Sequence, residues 1–152
     1  MKSQKKIYKN LYNLGSFYQW HSSKEIASIL VELDKKAEAI NFLSKSYNRI
    51  NKTIYRTFDL ANFLRIQDQY ERPIKLYTEI LSKINKDDSI YPKVLDRRGT
   101  AYERIGKWEL AEKDLLESLK ILPDQPYTIN YLAYSWIEKE KNTKKALTML
   151  KR

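Results

Sequence analysis

A small residue set inside a helical apolar pattern returns at Ala27, Ala61, Gly99 and Ala133, at spacings of 34, 38 and 34 residues. Three places after each comes a large apolar residue: Leu30, Leu64, Tyr102 and Trp136. A second series, Ala39, Pro73, Ala111 and Ala146, runs at 34, 38 and 35, and Leu43, Tyr77, Leu115 and Leu150 follow it four places later. Four series on nearly one period require one supersecondary unit used repeatedly. Steps of three and four residues are helical. Each unit therefore reads as two amphipathic helices, with the small residues where their axes approach and the large ones filling the space beside them. These positions are core.

The local signals fit that reading. In the first unit Ile26, Ile29, Leu30 and Leu33 form one stripe, and Ser22 with Glu25 has the spacing of a capping box at its start. Asp34 is expected to cap the next helix, which carries Ile40, Leu43, Tyr47 and Ile50. Phe58, Ala61 and Leu64 mark the following helix, and Ile74, Tyr77, Ile80, Leu81 and Ile84 its partner, which Pro73 places near Tyr70–Pro73 at its start. The longer spacing before the third unit falls at Asp87-Asp88-Ser89, a polar surface insertion. Pro92 opens the third unit, Gly106 ends its first helix, Pro123 follows its second, and Pro126 opens the fourth unit, whose last helix starts at Thr143. A leading helix is expected over 1–19, then units at 20–53, 54–91, 92–125 and 126–152.

The fold class is accordingly all-α, a right-handed solenoid of helix hairpins: about three full repeats, a leading helix and a truncated last repeat. Composition agrees, since only three glycines and four prolines in 152 residues leave few turns for a many-stranded sheet. Cysteine is absent, which removes disulfides, zinc–thiolate sites and thiol nucleophiles. His21 is the sole histidine and has no partner motif for catalysis or metal binding. No phosphate-cradling glycine loop occurs, Asp87-Asp88 lacks the rest of a calcium loop, and Glu109 and Glu112 read as solvated helix surface. No catalytic residue, cofactor or metal is expected.

These residues resemble the tetratricopeptide repeat (TPR) family. The third unit carries the likeness best, as Leu95-x2-Arg98-Gly99-x2-Tyr102, then Ala111-x3-Leu115, then Pro123. It differs from the family pattern at Leu95, Arg98 and Leu115, and the other units use Ala where that pattern has Gly. Segments such as Tyr91–Pro126 and Asn130–Trp136 also look like TPR proteins of proteobacterial envelopes, some of which act as adaptors. The resemblance implies a non-catalytic scaffold or adaptor that holds another protein or an extended peptide in a concave groove. Some TPR domains clamp a C-terminal carboxylate with lysine, asparagine and arginine. Lys24, Lys93 and Arg97 match that clamp, but Ser28 replaces the Asn and Asp59 adds a repelling charge.

The formal charge is +10, placed as +7 on residues 1–56, −1 on 57–125 and +4 on 126–152. This makes an RNA-binding helical repeat one alternative, although the charge gathers at the ends rather than in a stripe, and no specific nucleic acid is expected. A regulatory subunit of an enzyme complex is the other. No stretch has the length and apolarity of a membrane span, so a cytoplasmic location is the default and an envelope location applies if the chain is part of a longer secreted protein.

In TPR arrays the first helix of each unit lines the groove. With Leu95, Gly99 and Tyr102 facing inward, Lys93, Arg97, Thr100 and Arg104 fall on the opposite side of their helix. Tyr127, Tyr131 and Tyr134 form a matching stripe on the fourth unit, beside a core face of Ile129, Leu132, Ala133 and Trp136, and Tyr55, Asn62 and Arg65 extend the wall through the second. The short last helix is expected to leave Leu147, Met149 and Leu150 uncovered, a surface for association with another molecule.

Overall fold

The computed structural model describes Lys6, residues 16–139 and residues 143–151, and every regular element among them is a helix. The helices are α1 (Ser16–Glu32), α2 (Lys36–Asn48), α3 (Ile54–Ile66), α4 (Glu71–Lys83), α5 (Tyr91–Arg104), α6 (Trp108–Ile121), α7 (Pro126–Glu138) and α8 (Thr143–Leu150). The chain divides into two compact units, Met1–Leu76 and Tyr77–Arg152. The leading helix expected over 1–19 lies outside the described residues except for Lys6 and Ser16–Gln19, and the latter open α1.

In the first unit α1 packs on α2, and α2 on α3. Ala27, Ala39 and Ala61 are fully buried, so no Cβ beyond a methyl separates the helices at those points, and Leu30, Leu43 and Leu64 fill in beside them. Trp20 and Tyr47 close one end of this core with rings 6.1 Å apart and tilted by 58°. Their polar tips are satisfied: the Trp20 indole donates to Asp59 at 2.9 Å, and the Tyr47 hydroxyl shares a 2.8 Å bond with Thr57.

Three expectations fail here. Ser22 is no helix cap: α1 starts at Ser16, Ser22 is fully buried inside it, and its hydroxyl has no hydrogen-bond partner. Nothing between Ser16 and Ser22 breaks a helix, and Trp20 extends the apolar face backward. The neighbouring Ser23 bonds back to the Gln19 carbonyl at 2.8 Å, as serine does within a helix. Asp34 does not cap α2 either. Its φ is 59°, the residue before α2 is Lys35, and that residue makes no side-chain cap bond. Leu33, expected in the core stripe, is 40% exposed because it lies at this corner.

Asp34 instead turns the corner. Positive φ recurs at Asp68 (62°) and Gly106 (79°), on the same 34- and 38-residue spacing as the core series. At each the next N–H reaches back five residues: Lys35 to Leu30 at 2.8 Å, Gln69 to Leu64 at 3.0 Å, Lys107 to Tyr102 at 2.9 Å. The corner residue itself bonds three back, to Val31, Arg65 and Glu103. This pair of bonds closes a helix C-terminus and requires a left-handed residue. Asparagine and aspartate tolerate that conformation better than other L-residues. We expect Asp34→Val to cost about 1–2 kcal/mol and Asp34→Gly not to destabilise, read as urea midpoints by circular dichroism.

In the second unit α5 packs on α6, α6 on α7 and α7 on α8. One core joins Trp108, Ala111, Leu115, Leu132, Ala133, Trp136 and Ala146, with Tyr102, Leu119, Tyr131 and Met149 against its edge. Gly99 is needed at its crossing: a Cβ there would stand 3.0 Å from Leu115 Cγ and 3.2 Å from the Ala111 carbonyl oxygen. Arg98, where the family pattern has Leu, forks onto Asp114 at 2.7 and 2.8 Å and reaches Thr78 at 3.1 Å. Burial works against the Arg98 charge, but the Asp114 bonds and charge outweigh it and hold its pKa above the usual value. Glu112 is not merely solvated, because it accepts the Trp136 indole N–H at 2.6 Å. Gln125 ties the loop before α7 by donating to the carbonyls of Ser118 (3.1 Å) and Leu122 (2.7 Å). Proline positions match the sequence reading: Pro92 and Pro126 sit in the first turns of α5 and α7.

Candidate peptide-binding site

Three side-chain bonds set α7 beside α5. Thr128 donates to the buried Asp96 carboxylate at 2.6 Å, Tyr131 to Glu103 at 2.7 Å, and Lys139 to Glu103 at 3.5 Å. Between the two helices runs a cleft of about 500 Å³, with Glu103 and Arg104 on one side and Tyr127, Asn130, Tyr131, Tyr134, Ser135 and Glu138 on the other. The tyrosine stripe arises because Leu132, Ala133 and Trp136 turn one face of α7 into the core. The adjacent face then carries residues at steps of three and four from Tyr127.

The three tyrosines are not equivalent. Tyr127 is 92% exposed and Tyr134 69%, whereas Tyr131 is half-buried against the core with its hydroxyl committed to Glu103. Tyr131 thus forms the floor of the cleft and the other two its rims.

Of the arginine stripe only Arg104 lines this cleft. Lys93 is exposed elsewhere on α5. Arg97 bonds the adjacent Asp96 carboxylate, and Thr100 bonds back to the Asp96 carbonyl at 2.8 Å. Asp96, unnoticed in the sequence, therefore occupies two of the expected groove residues while also holding Thr128. Tyr55, Asn62 and Arg65 lie on α3 in the first unit, where Tyr55 is 68% exposed and the other two are half-buried. The carboxylate-clamp lysine is also engaged: Lys24 bonds Asp59 at 3.0 Å, so the aspartate expected to repel a ligand carboxylate holds the lysine that would bind it.

Glu103, Asn130, Ser135 and Glu138 were missed as cleft residues. Glu138 could have been found, since it continues the Tyr127, Tyr131, Tyr134 stripe by one more step of four. A second hollow of about 360 Å³ lies between Pro123, Asp124, Pro126, Ile129 and Asn130 on one side and Met149 and Leu150 on the other. Beside it Leu147 and Leu150 are 48% and 46% exposed, while Met149 packs against the core. Among the described residues no group of His, Cys, Asp and Glu could hold a metal ion, and no helix is long and apolar enough to cross a membrane.

No protein-family model and no curated protein matches this chain in sequence. Solved structures do match it in fold. MamA residues 41 to the end from Desulfovibrio magneticus RS-1 superposes with a TM-score of 0.70 at 14% identity, covering 97% of this chain and 92% of that one. A second crystal structure of MamA gives 0.67 at 15% identity, covering 99% and 86%. The fold is a TPR-like helical solenoid. A double mutant of the RS-1 MamA matches at a TM-score of 0.68 and 13% identity, over 87% of this chain and 71% of that one. At such identities the likeness to MamA is one of fold alone.

Proposed function

We propose that this TPR-like chain is a non-catalytic protein-binding scaffold that takes an extended segment of another protein in the α5/α7 cleft. The observation that carries the reading is the pair Tyr127 and Tyr134, two strongly exposed aromatic rings on the rims of a cleft. Large exposed aromatics beside a concavity supply contact area at small entropic cost and are the usual anchors of a binding surface. The held geometry of Tyr131, Glu103 and Lys139 supports it, because a floor fixed by its own hydrogen bonds loses little freedom on binding. On the first unit, the exposed Tyr55 with Asn62 and Arg65 offers a separate surface of the same kind.

RNA binding is less well supported by this cleft. Its lining carries Arg104 beside Glu103 and Glu138, and Glu103 is paired with Lys139, so phosphates would meet no net positive charge. The test is selection of ligands from a displayed library of random peptides, followed by titration against variants. Tyr134→Ala and Tyr127→Ala are expected to weaken the selected peptides at least about tenfold each, with the helical circular dichroism unchanged. Peptides bound equally well by both variants would place recognition elsewhere. Tyr131→Ala is a poorer probe, because that ring also packs on the core.

A further inference from the structure

We propose that the occupant of the α5/α7 cleft is a proline-rich segment in the polyproline-II conformation, with two prolines three residues apart and a basic residue beside them. This rests on the peptide-binding reading above and specifies its ligand.

The first argument is a match of lengths. Tyr127 and Tyr134 are seven residues apart on one helix, which at 1.5 Å per residue sets them about 10 Å apart along its axis. A polyproline-II turn takes three residues at 3.1 Å each, about 9 Å. A segment lying along α7 therefore brings residues i and i+3 over the two rim tyrosines, with Tyr131 beneath the residues between.

The second argument is chemical. Of the common ways a protein takes a peptide, adding a strand needs a sheet edge, and no strand exists among the described residues. Accepting an amphipathic helix needs an unbroken apolar trough, whereas the charges of Glu103, Arg104 and Glu138 interrupt this one. Reading an acidic or phosphorylated motif needs a cluster of arginines, and Arg104 is the one arginine in the cleft. What the cleft does offer is flat phenol rings with polar tips beside an amide side chain. A polyproline-II segment suits that surface, since its rings stack on aromatics and its carbonyls, which make no internal hydrogen bonds, accept from donors such as Asn130.

The third argument is charge. The chain is strongly basic as a whole, yet this cleft is not. Glu103 is taken by Tyr131 and Lys139. Glu138 is exposed, one helical turn beyond Tyr134. That turn advances about 6 Å, or two residues of polyproline II. A lysine or arginine two residues beyond the second proline would face Glu138.

The experiment uses the full chain and fluorescein-labelled synthetic peptides in an anisotropy titration. One peptide carries P-x-x-P-x-R. A second has the same composition with no two prolines three apart, a third is acidic and proline-free, and a fourth probe is oligouridine. The expected result is micromolar binding of the first peptide, at least about tenfold tighter than its rearranged form. Tyr134→Ala should abolish that preference, and Glu138→Lys should weaken the first peptide several-fold. Thermal melts identify any variant that has lost its fold, and Tyr127→Ala provides an independent variant. Equal binding of the rearranged peptide, or no binding of the proline peptide at millimolar concentration, overturns the proposal. Tyr134-dependent binding of the acidic peptide overturns the proline assignment and leaves the peptide-binding reading standing. Tyr134-dependent binding of oligouridine, with no peptide bound, overturns both.

Discussion

Replacing Asp114 with alanine is expected to cost about 3–5 kcal/mol of stability, measured by urea unfolding. Asp114 is 6% exposed and makes both bonds of the fork from Arg98, itself only 19% exposed. Removing the carboxylate leaves a mostly buried guanidinium with only the Thr78 hydroxyl and the Tyr102 ring, and water replaces only part of what it lost. The pair itself is worth far less than its breakage. Pairing two charges in a poorly solvated place roughly balances their desolvation, so Arg98→Met combined with Asp114→Leu should recover most of the loss. An Asp114→Ala midpoint within about 1 kcal/mol of the parent would show that Arg98 finds solvent easily and that the fork is ornamental.

Trp136→Ala should be as damaging, at about 3–5 kcal/mol, for a different reason. Trp136 is 2% exposed and is among the largest fully buried side chains, so alanine leaves a cavity in the core shared by α6, α7 and α8. Trp136→Phe keeps most of the volume but strands Glu112 without its indole donor, and should cost about 1–2 kcal/mol. Domains of this size are stable by only about 5–15 kcal/mol, so the alanine variant should expose the α7 and α8 amides to hydrogen exchange. Tyr134→Ala, two residues earlier on the solvent side, should lie within about 0.5 kcal/mol of the parent. Equal losses at Trp136 and Tyr134 would contradict the assignment of one face of α7 to the core and the other to a ligand.

Much of the fold is legible in the sequence because burial and period coincide. Ala27, Ala61 and Ala133, then Ala39, Ala111 and Ala146, are all fully buried, as are Leu43, Tyr77 and Leu115. A helix crossing admits only a small residue, so the small residues carry the fold's strongest mark. Leu150 breaks its series by being 46% exposed, since no later helix among the described residues covers it. Ser22 and Asp34 misled for a shared reason. Short polar side chains suit a helix start, a left-handed corner or a back-bonded interior position, and only the surrounding packing selects among them. The cleft was half legible. The tyrosine stripe follows from helical geometry alone, but its partners come from α5, roughly thirty residues earlier in the chain. No local pattern shows that Asp96 takes Arg97 and that Glu103 takes Tyr131.

The three left-handed corners also govern timing. Each is closed by bonds spanning at most five residues, from Leu30 to Lys35, Leu64 to Gln69 and Tyr102 to Lys107. The two helices joined by a corner can therefore meet without waiting for any distant part of the chain. Ribosomes release roughly 5–20 residues per second, so one repeat emerges in about 2–7 s. Local helical contacts form in microseconds to milliseconds. A hairpin thus has thousands of opportunities to form before its successor leaves the exit tunnel, and its apolar stripe spends little of synthesis uncovered. Where the corner residue is an aspartate rather than a glycine, that speed is retained and the unfolded chain keeps fewer conformations to lose.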